Sequence, residues 1–532
     1  MPTPRGAIPA LFLTLMIVAG CASGTSSPTA ATATGDPTAT ASPSSTGSVV
    51  AGTHDDPADY EWDESSEVTI SLADGASSGA DGVTVEGDVV TITNAGTYRL
   101  SGSLSDGQVA VDTEAEGVVR LVLDGASVAS STTSPLVVVD AEKVVIILAT
   151  GSQNVLTDAA SYEFESPDVD EPNAALFSTA DLTIAGEGSL TVDGNFNDGI
   201  TGKDGLIVAG GSIEVTAVDD GIRGKDYLIV SARSVTVTAG GDALKADNEE
   251  DATLGYVAIA GGTIDLTAGS DAIDAASNAI ADGGSLTIEA GDDAIHAETR
   301  LEINGGSIDI VASYEGLEAT QIVITGGVIE LVAEDDGLNV AGGTASGNAQ
   351  LGLPGTGGGR GGPGGETALD GYFVEMSGGT LVIDAGGDGF DSNGSATVTG
   401  GTIVINGPTE NMNGAIDVNG EFLISNAILI AAGSAGMAET PSATSEQPNV
   451  ALNFSSVQPA GTVVRIQAPD GTNIATFQAS KPFQALVFSS PDITAGTTYE
   501  VLTGGSADGD SLGGLFLEPA YTPGTVIGSV VA

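Results

Sequence analysis

The feature that most restricts the fold is an acidic motif that recurs along the chain at a nearly constant spacing. One copy reads EAGDDAIHA at residues 289–297, and related copies read AVDDGIRGK, AGGDALKAD, AGSDAIDAA and AEDDGLNVA. Successive copies lie 22 residues apart, except for one step of 21, one of 29 and one of 52. The two long steps fit 22 residues plus insertions of 7 and 30 residues. A fixed period of this length is typical of a solenoid, in which each repeat contacts mainly its neighbours.

Each copy contributes one acidic residue to what we call the acid column. Its members are Asp198, Asp220, Asp242, Asp271, Asp293, Glu315, Asp336 and Asp388. After each acid, hydrophobic residues alternate over short runs, as at Leu301, Ile303, Ile308 and Ile310, which predicts strands. A Gly-Gly pair follows about 12 positions after most of the acids, and glycine is favoured at corners that need a positive φ. Three short strands and about 22 residues per rung predict an all-β fold, a parallel β-helix.

The net charge excludes a nucleic-acid partner. The chain has 72 acidic residues and 13 Lys or Arg, a formal net charge of -59, whereas affinity for a phosphate backbone requires basic surface. Cys21 is the only cysteine, so no disulfide can form within the chain. Packing, strand ladders and bound cations must therefore stabilise the fold. We expect a monomer.

The N-terminal residues predict export and lipid attachment. Residues 1–20 contain Arg5 and a short apolar run, and the next residue completes VAGC, which is similar to a bacterial lipobox. We therefore predict a lipoprotein signal peptide at 1–20 and a lipid on Cys21. The lipid would anchor the chain at the extracellular face of the bacterial cell membrane. Residues 21–59 are rich in Ser, Thr, Ala and Pro and are predicted to be a flexible tether.

The remaining chain divides into a long repetitive part and a shorter part without the repeat. We predict the β-helix over residues 60–432, with a looped insertion at about 342–370 that contains LPGTGGGRGGPGGE. Trp62, the only tryptophan, is expected to cover the end of the solenoid. Residues 433–449 are interpreted as a linker, and residues 450–532 as a small β-rich C-terminal cap or a small β-sandwich.

Stacked rungs would place the carboxylates of the acid column about 5 Å apart. Two such charges repel by about 0.8 kcal/mol in bulk water and by about 3 kcal/mol at an effective dielectric of about 20. Basic residues accompany only the first three acids, and they include Lys203, Arg223, Lys225 and Lys245. The later rungs have almost none, and Ca²⁺ suits them because it binds several carboxylate oxygens in flexible geometry.

The residue three positions after each acid is predicted to point outward, next to the acid column. Combining the two positions gives two candidate calcium clusters. The first consists of Asp271, Asp274, Asp292 and Asp293. The second consists of Asp335, Asp336, Asp388 and Asp391, which become neighbours once the 30-residue insertion is looped out. A third candidate contains Asp198, Asp219 and Asp220, where lysines compete for the acids. The alternative is that these acids cap turns and are otherwise solvated.

Two other residue types were weighed as binding groups. His296 takes the position three after an acid, but no second histidine or cysteine lies near it in the sequence. A zinc site is therefore not expected, and His296 is interpreted as a surface polar residue. Aromatic residues make up only 4% of the chain, which argues against a stacking platform for sugars. Contact with sugars could still come from a few tyrosines, such as Tyr227, Tyr256 and Tyr314.

Several segments resemble a known family. They are VTITNAGTYRLSGSLSDGQVAVDT, VRLVLDGASVASSTTSPLVVVDAEKVVIILATGSQNVLTD and the repeated DDGI…GG units. Over roughly residues 60–430 the chain resembles the bacterial secreted carbohydrate-binding domain-containing proteins. The resemblance implies a right-handed parallel β-helix similar to polysaccharide lyases, calcium sites, and an acidic or plant cell-wall polysaccharide as ligand.

The likeness to lyases raises catalysis as an alternative function. Such enzymes use aspartate-bound calcium and a basic side chain that removes a proton beside a uronate carboxylate. Here Lys225 or Lys245 would be that base. No rung keeps an intact Asp-Asp-x-x-Asp arrangement, because Arg223, His296 or Asn339 stands at its last position. We therefore favour polysaccharide binding over a pectate-type lyase, and a structural or adhesive surface stalk is the third hypothesis.

Overall fold

A computed structural model describes residues 52–164, 166, 168–342 and 367–532. The predicted signal peptide, Cys21, most of the tether and most of the looped insertion lie outside these residues. Within them, the only helices are two short 3₁₀ turns, Pro57–Tyr60 and Glu64–Ser66. No helical segment of the described part has the length and hydropathy needed to span a bilayer.

The strands wind into a parallel β-helix with three faces, which confirms the predicted fold class. Face A holds the strands that follow the acid column: Val83–Glu86, Val89–Ile92, Gln108–Asp112, Leu136–Asp140, Ala174–Ser178, Asp198–Gly202, Ile222–Gly224, Leu244–Ala246, Ile273–Ala275, Leu338–Val340, Phe390–Ser392 and Ile416–Val418. Face B comes next along the chain: Lys143–Leu148, Asp181–Gly186, Gly205–Val208, Tyr227–Val230, Tyr256–Ile259, Asn278–Ala281, Phe373–Met376, Ser395–Val398 and Phe422–Ile424. Face C completes each rung: Gln153–Thr157, Ser189–Gly194, Ser212–Ala217, Ser234–Ala239, Thr263–Ala268, Ser285–Glu289, Ser307–Ser313, Val328–Ala333, Thr380–Ala385, Thr402–Asn406 and Ile428–Gly433.

A few longer strands belong to two faces. Ile295–Ile303 and Leu317–Ile324 begin on face A and end on face B. At the N-terminal end, Val118–Ala129 pairs with strands of both face B and face C. It also pairs with Gly96–Leu104, which in turn pairs with Val68–Ala73, and these strands form the first rungs.

The register of face A confirms the repeat that the sequence predicted. Ile200 pairs with Ile222, and Ile222 pairs with Leu244, each 22 residues further on. Leu338 pairs with Phe390, so the chain between them does loop out of the stack. Because side chains alternate along a strand, these residues all point to the same side, where they are almost completely buried in one continuous core.

Residues 52–59, which we expected to be the end of a flexible tether, instead lie along face B. His54 contacts Asp181 at 3.0 Å through Nδ1, and its backbone N–H donates to the hydroxyl of Tyr227 at 2.8 Å. Lys143 donates to Asp59 at 2.8 Å and to the backbone oxygen of His54 at 2.7 Å. This composition is typical of a linker, but its few charged residues meet partners that are distant in sequence.

Trp62 packs against the outside of face B rather than the end of the solenoid. It lies against Val122, Val145 and Ile147, whose side chains point away from the main core. Its indole N–H donates to Glu67 at 2.8 Å. The expectation that Trp62 covers the end was wrong, because these outward valines and isoleucine form an apolar patch on the side of the helix.

The C-terminal segment both extends the last rung and packs beside it. Phe483–Ser489 pairs antiparallel with Ile428–Gly433 of face C and with Asn449–Gln458. A second sheet packs with them around a shared core, which includes Val404 and Ile430 from the outside of face C. The remaining strands are Val463–Gln467, Asn473–Gln478, Thr498–Thr503, Ser506–Asp508, Ser511–Leu512, Leu515–Phe516, Ala520–Thr522 and Thr525–Val531. The segment interpreted as a linker lies on the last rung, where the Ser442 N–H donates to the Phe422 oxygen at 2.8 Å.

Candidate metal centre

The acid column is buried at the corner that precedes face A, and most of its carboxylates form a hydrogen-bonded ladder. The backbone N–H of Asp242 donates to Oδ1 of Asp220 at 3.0 Å, and that of Asp271 donates to Oδ1 of Asp242 at 3.0 Å. The same bond recurs in other rungs between the pairs Asp198/Asp220, Asp271/Asp293, Asp336/Asp388 and Asp388/Gly414. Each carboxylate therefore satisfies a corner N–H of the following rung, a structural role that the sequence pattern did not reveal.

Room for these carboxylates depends on small residues in the following rung. A Cβ built on Gly387 would collide with a carboxylate oxygen of Asp335 and with one of Asp336. Gly241 stands in the same relation to Asp219 and Asp220. The small residue beside each acid is therefore needed for the close approach of two rungs.

Burial and mutual repulsion raise the pKa values of the later acids. Burial, followed by the charges of Asp388 and Asp335, raises the pKa of Asp336 from 3.8 to about 8. Burial, followed by the charges of Asp336 and Asp388, raises the pKa of Asp391 to about 9. Burial also raises the pKa of Asp271 to about 7 and that of Asp293 to about 8. Negative charge on these side chains is thus costly when no cation is near.

In the first rungs the chain supplies its own cations. Arg223 contacts the fully buried Asp198 at 2.8 Å. The ammonium of Lys245 contacts Asp242, lies 3.2 Å from Asp274 and lies 3.8 Å from Asp220. The third calcium candidate is therefore the place where basic side chains already neutralise the acids. Asp219 is exposed and does not join this cluster.

The first predicted cluster comes together around two neighbouring rungs. Ligand atoms of Asp271, Asp292 and Asp293 lie within 4.8 Å of one another, as do those of Asp271, Asp274 and His296. His296 is not the surface residue that we expected, because its side chain is only 15% exposed and its Nδ1 lies 3.0 Å from Asp274. Burial lowers the pKa of His296, but the hydrogen bond and charge of Asp274 outweigh it and raise the pKa to about 9.

The second predicted cluster also comes together, across the looped insertion. One carboxylate oxygen from each of Asp336, Asp388 and Asp391 lies within 4.8 Å of the others. Asp335, the fourth predicted member, is more exposed and accepts a hydrogen bond from the Tyr314 hydroxyl at 2.9 Å. The three grouped oxygens come from the corner and from the strand after it, so stacking of the rungs places them together.

A buried amide next to this cluster points to a missing ligand. Asn339 is 3% exposed, and it pairs in register with Asp391. Its Nδ2 donates to Glu315 of the preceding rung at 2.7 Å. Its Oδ1 is buried and has no hydrogen-bond partner among the described residues. A buried carbonyl oxygen without a donor is costly, and a cation would satisfy it.

The spacing of the oxygens fits a hard cation. Calcium binds oxygen at about 2.3–2.6 Å, so two ligands of one ion can be at most about 4.6–5.2 Å apart. The carboxylate oxygens of Asp336, Asp388 and Asp391 meet this condition. Carboxylate and amide oxygens are the donors that Ca²⁺ prefers, whereas the absence of sulfur and imidazole from this group disfavours zinc.

Two acids that the sequence-based clusters omitted also belong to the column. Asp293, Glu315 and Glu318 form a further group with ligand atoms within 4.8 Å of one another. Glu315 is 7% exposed, and burial is the main cause that raises its pKa to about 7. Both glutamates occupy the repeat positions of the predicted clusters, so the register alone could have identified them.

The residue three positions after each acid does not uniformly face solvent. Thr201 is 1% exposed and donates to Asp198 at 2.8 Å. Asn339 is similarly enclosed. The prediction that this position points outward was wrong for both, because the side chain turns back onto the acid of its own or the preceding rung.

Two of the three tyrosines proposed to contact sugars are buried. Tyr227 is 5% exposed and Tyr256 is fully buried, and their rings stack at 5.3 Å on face B. The N-terminal residues around His54 lie over Tyr227. Tyr314, at 41% exposure, is the one that can meet a ligand.

We expect the cation-free protein to lose stability as the pH rises. Between 3.8 and about 8, folded Asp336 holds a proton that the unfolded chain has released, so its contribution is present at low pH and lost as pH passes the raised pKa. Urea unfolding in chelator should therefore give a lower midpoint at pH 8 than at pH 5. The Asp336→Asn variant keeps the Oδ1 acceptor and should flatten this slope. A midpoint that rises with pH in wild type would contradict the expectation.

Comparison with known proteins assigns the chain to a family. A family model described as carbohydrate-binding domain-containing protein matches residues 86–351, which is half of the chain. A protein of the same description from Acetivibrio thermocellus is 47% identical over 137 residues, 26% of this chain and 48% of that protein. The chain thus spans about half the length of this relative.

A solved structure is also similar to part of the chain. It is described as the polysaccharide lyase-like protein from C. thermocellum, in a gadolinium derivative. The match has 39% sequence identity and a TM-score of 0.43, and it covers 44% of this chain and 96% of the other. Together with the extent of the family match, the three-faced β-helix and its buried acid column are features of one member of a group: the chain belongs to the carbohydrate-binding domain-containing protein family.

Proposed function

We propose that this protein binds polysaccharide, and that its acid column holds Ca²⁺ between neighbouring rungs. Its family supports the first part, since the Acetivibrio thermocellus relative carries the description of a carbohydrate-binding protein. One observation carries the second part. Three carboxylate oxygens from Asp336, Asp388 and Asp391 lie within 4.8 Å of one another, and the buried Oδ1 of Asn339 next to them has no donor.

A bound calcium ion would neutralise the later rungs as Arg223 and Lys245 neutralise the earlier ones. Asp336, Asp388, Asp391 and Asn339 would hold one ion, and the cluster of Asp271, Asp274, Asp292 and Asp293 would hold another. The ion supplies a fixed positive charge, and an acidic polysaccharide can be attracted to such a charge through its carboxylates. A lipid on Cys21 would place this surface outside the cell.

Catalysis as a lyase receives less support from the candidate bases. The ammonium of Lys245 contacts three carboxylates, and these hold its pKa above the ordinary value although burial opposes them. A lysine that is held protonated is a poor acceptor for the proton beside a uronate carboxylate. Lys225 is half-buried on face A's edge of the same rungs and makes no ion pair within the described residues that would activate it.

The proposal is tested by affinity electrophoresis in gels that contain polygalacturonate, xylan or a soluble cellulose derivative. Wild-type protein should be retarded by at least one of them in calcium. The Asp388→Asn, Asp391→Asn double variant, which keeps side-chain shape, should bind the acidic polymer more weakly. Migration unchanged by every polymer would refute polysaccharide binding, and retardation that is equal in calcium and in chelator would refute the role of the ion. Absorbance of unsaturated products on polygalacturonate tests the lyase alternative directly.

A further inference from the structure

A cleft of about 850 Å³ opens beside the first rungs of the acid column. One side carries Phe164 and Phe196, and the other carries Asn197, Lys203 and Arg223. The segment before the strand Ala174–Ser178 contributes to its wall and interrupts the regular repeat. Apolar rings and hydrogen-bonding groups thus face one another across a space that is open to solvent.

The aromatic side of the cleft is a fixed platform. The rings of Phe196 and Tyr162 stack with centroids 4.3 Å apart and an interplanar angle of 17°. Phe164 packs against Phe196 edge-on, at 6.0 Å and 61°. The Tyr162 hydroxyl donates to Asp158 at 2.7 Å, which fixes the base of the stack. Phe164 and Phe196 remain partly exposed, so their free surface is available to a ligand.

The polar side offers donors and acceptors at fixed positions. Arg223 is held by Asp198 at 2.8 Å and Asp247 at 3.5 Å, and a guanidinium has five N–H donors, so some remain for a ligand. Oδ1 of Asn173 is buried at the cleft and has no partner among the described residues. A hydroxyl group donates one hydrogen bond and accepts two, so a polyhydroxylated ligand can satisfy both groups.

The charges of the lining indicate a neutral ligand. Lys203 and Arg223 are already paired with carboxylates, Lys203 with Glu171 and Arg223 with Asp198. No unpaired cation among the described lining residues is left to attract an anion, and the chain as a whole carries a formal charge of -59. A ring with one apolar C–H face and several hydroxyls matches an aromatic platform that faces amide and guanidinium groups.

We propose that this cleft binds one unit of a neutral polysaccharide, with a pyranose ring stacked on Phe196 and its hydroxyls bonded by Arg223 and Asn173. This inference rests on the proposed polysaccharide binding and assigns it a site separate from the later acid clusters. The calcium clusters and the cleft would then recognise different polymer chemistries on the same face of one solenoid.

The test uses cellohexaose as a neutral probe and hexagalacturonate as an anionic probe, each titrated by calorimetry in calcium. Phe196→Ala should weaken cellohexaose binding about tenfold, which corresponds to the loss of one aromatic contact. Tyr521→Ala is the matched control, because that ring is also partly exposed and packs 4.6 Å from Arg465 on the C-terminal segment. Its affinity for cellohexaose should equal that of wild type. Thermal melting verifies that both variants fold.

A second measurement does not depend on any variant. Hydrogen exchange of the wild-type protein should show slower exchange in residues 194–203 when cellohexaose is bound. Binding of cellohexaose with unchanged affinity in Phe196→Ala, or with protection only elsewhere, overturns the site while polysaccharide binding stands. Binding of hexagalacturonate alone overturns the neutral ligand. Failure of wild type to bind any polysaccharide or oligosaccharide overturns both this inference and the proposed function.

Discussion

Calcium should raise the melting temperature of the wild-type protein by several degrees, and Asp391→Asn should remove much of that rise. An ion that binds only the folded state stabilises it by about 2.7 kcal/mol when its concentration is about a hundred times Kd. Asp391 is the acid with the pKa raised to about 9 by burial and by neighbouring carboxylates, so its charge is the one most in need of a cation. The measurement is thermal melting across a calcium titration that begins in chelator.

The same substitution at Asp265 provides the control. Asp265 is exposed on face C, where it pairs in register with Thr236 and Thr287 and lies outside the metal clusters. Asp265→Asn should show the calcium response of wild type. Magnesium should have a smaller effect, because it demands near-ideal octahedral geometry and dehydrates reluctantly. An equal response of wild type and Asp391→Asn would exclude the second cluster as the calcium site.

Replacing Lys245 by methionine should destabilise the protein strongly and make its stability depend on calcium. The ammonium of Lys245 contacts Asp220, Asp242 and Asp274, and its side chain is 23% exposed. Removal of one partner from a largely buried ionic group costs about 3 kcal/mol, because the remaining charges lose their compensation. Urea unfolding in chelator measures this loss, and added calcium should restore part of it by occupying the vacated position.

Lys203 is the matched control for this experiment. It pairs with Glu171 alone, and both side chains are more exposed, at 38% and 42%. Exposed pairs of this kind contribute about 0–1 kcal/mol, so Lys203→Met should unfold close to wild type in urea. If both variants lost the same small amount of stability, the lysine within the acid column would not be its counter-ion.

The sequence predicted which residues stack, because the period of the repeat is a property of the chain itself. Counting 22 residues from one acid to the next identified the register of face A, including the neighbours Leu338 and Phe390 across the insertion. Asp336, Asp388 and Asp391 could therefore be grouped from their positions alone. Identity at a repeat position was the whole of that argument, and it needed no knowledge of the corner's shape.

The burial of the acids could not be predicted in the same way. Whether a corner carboxylate faces water or the next backbone depends on how closely two rungs approach. That approach depends on the absence of a Cβ at positions such as Gly387. A pair of aspartates has the same sequence pattern in a solvated turn and in a buried ladder, so the ladder had to be seen in three dimensions.

Contacts made by segments outside the repeat were also hidden. His54 and Tyr227 are 173 residues apart, and no periodicity relates them. The cleft beside Phe196 depends on Tyr162 and Phe164 from an irregular stretch, and a low overall aromatic content gave no sign that three rings would cluster. Composition averages over the chain, whereas a binding surface needs only a few residues in one place.

The hydrogen-bonded ladder gives the stack a direction. Each corner carboxylate accepts from the rung that follows it, as Asp220 does from Asp242, so every aspartate added to the column creates a demand for one more rung. A stack cut on its C-terminal side would end in a buried acceptor with no donor, whereas a cut on the N-terminal side would free only an N–H. Gly414 ends the series, because it donates to Asp388 and carries no carboxylate of its own. Growth of the solenoid thus has a built-in terminator: the residue that completes the last bond makes no further request.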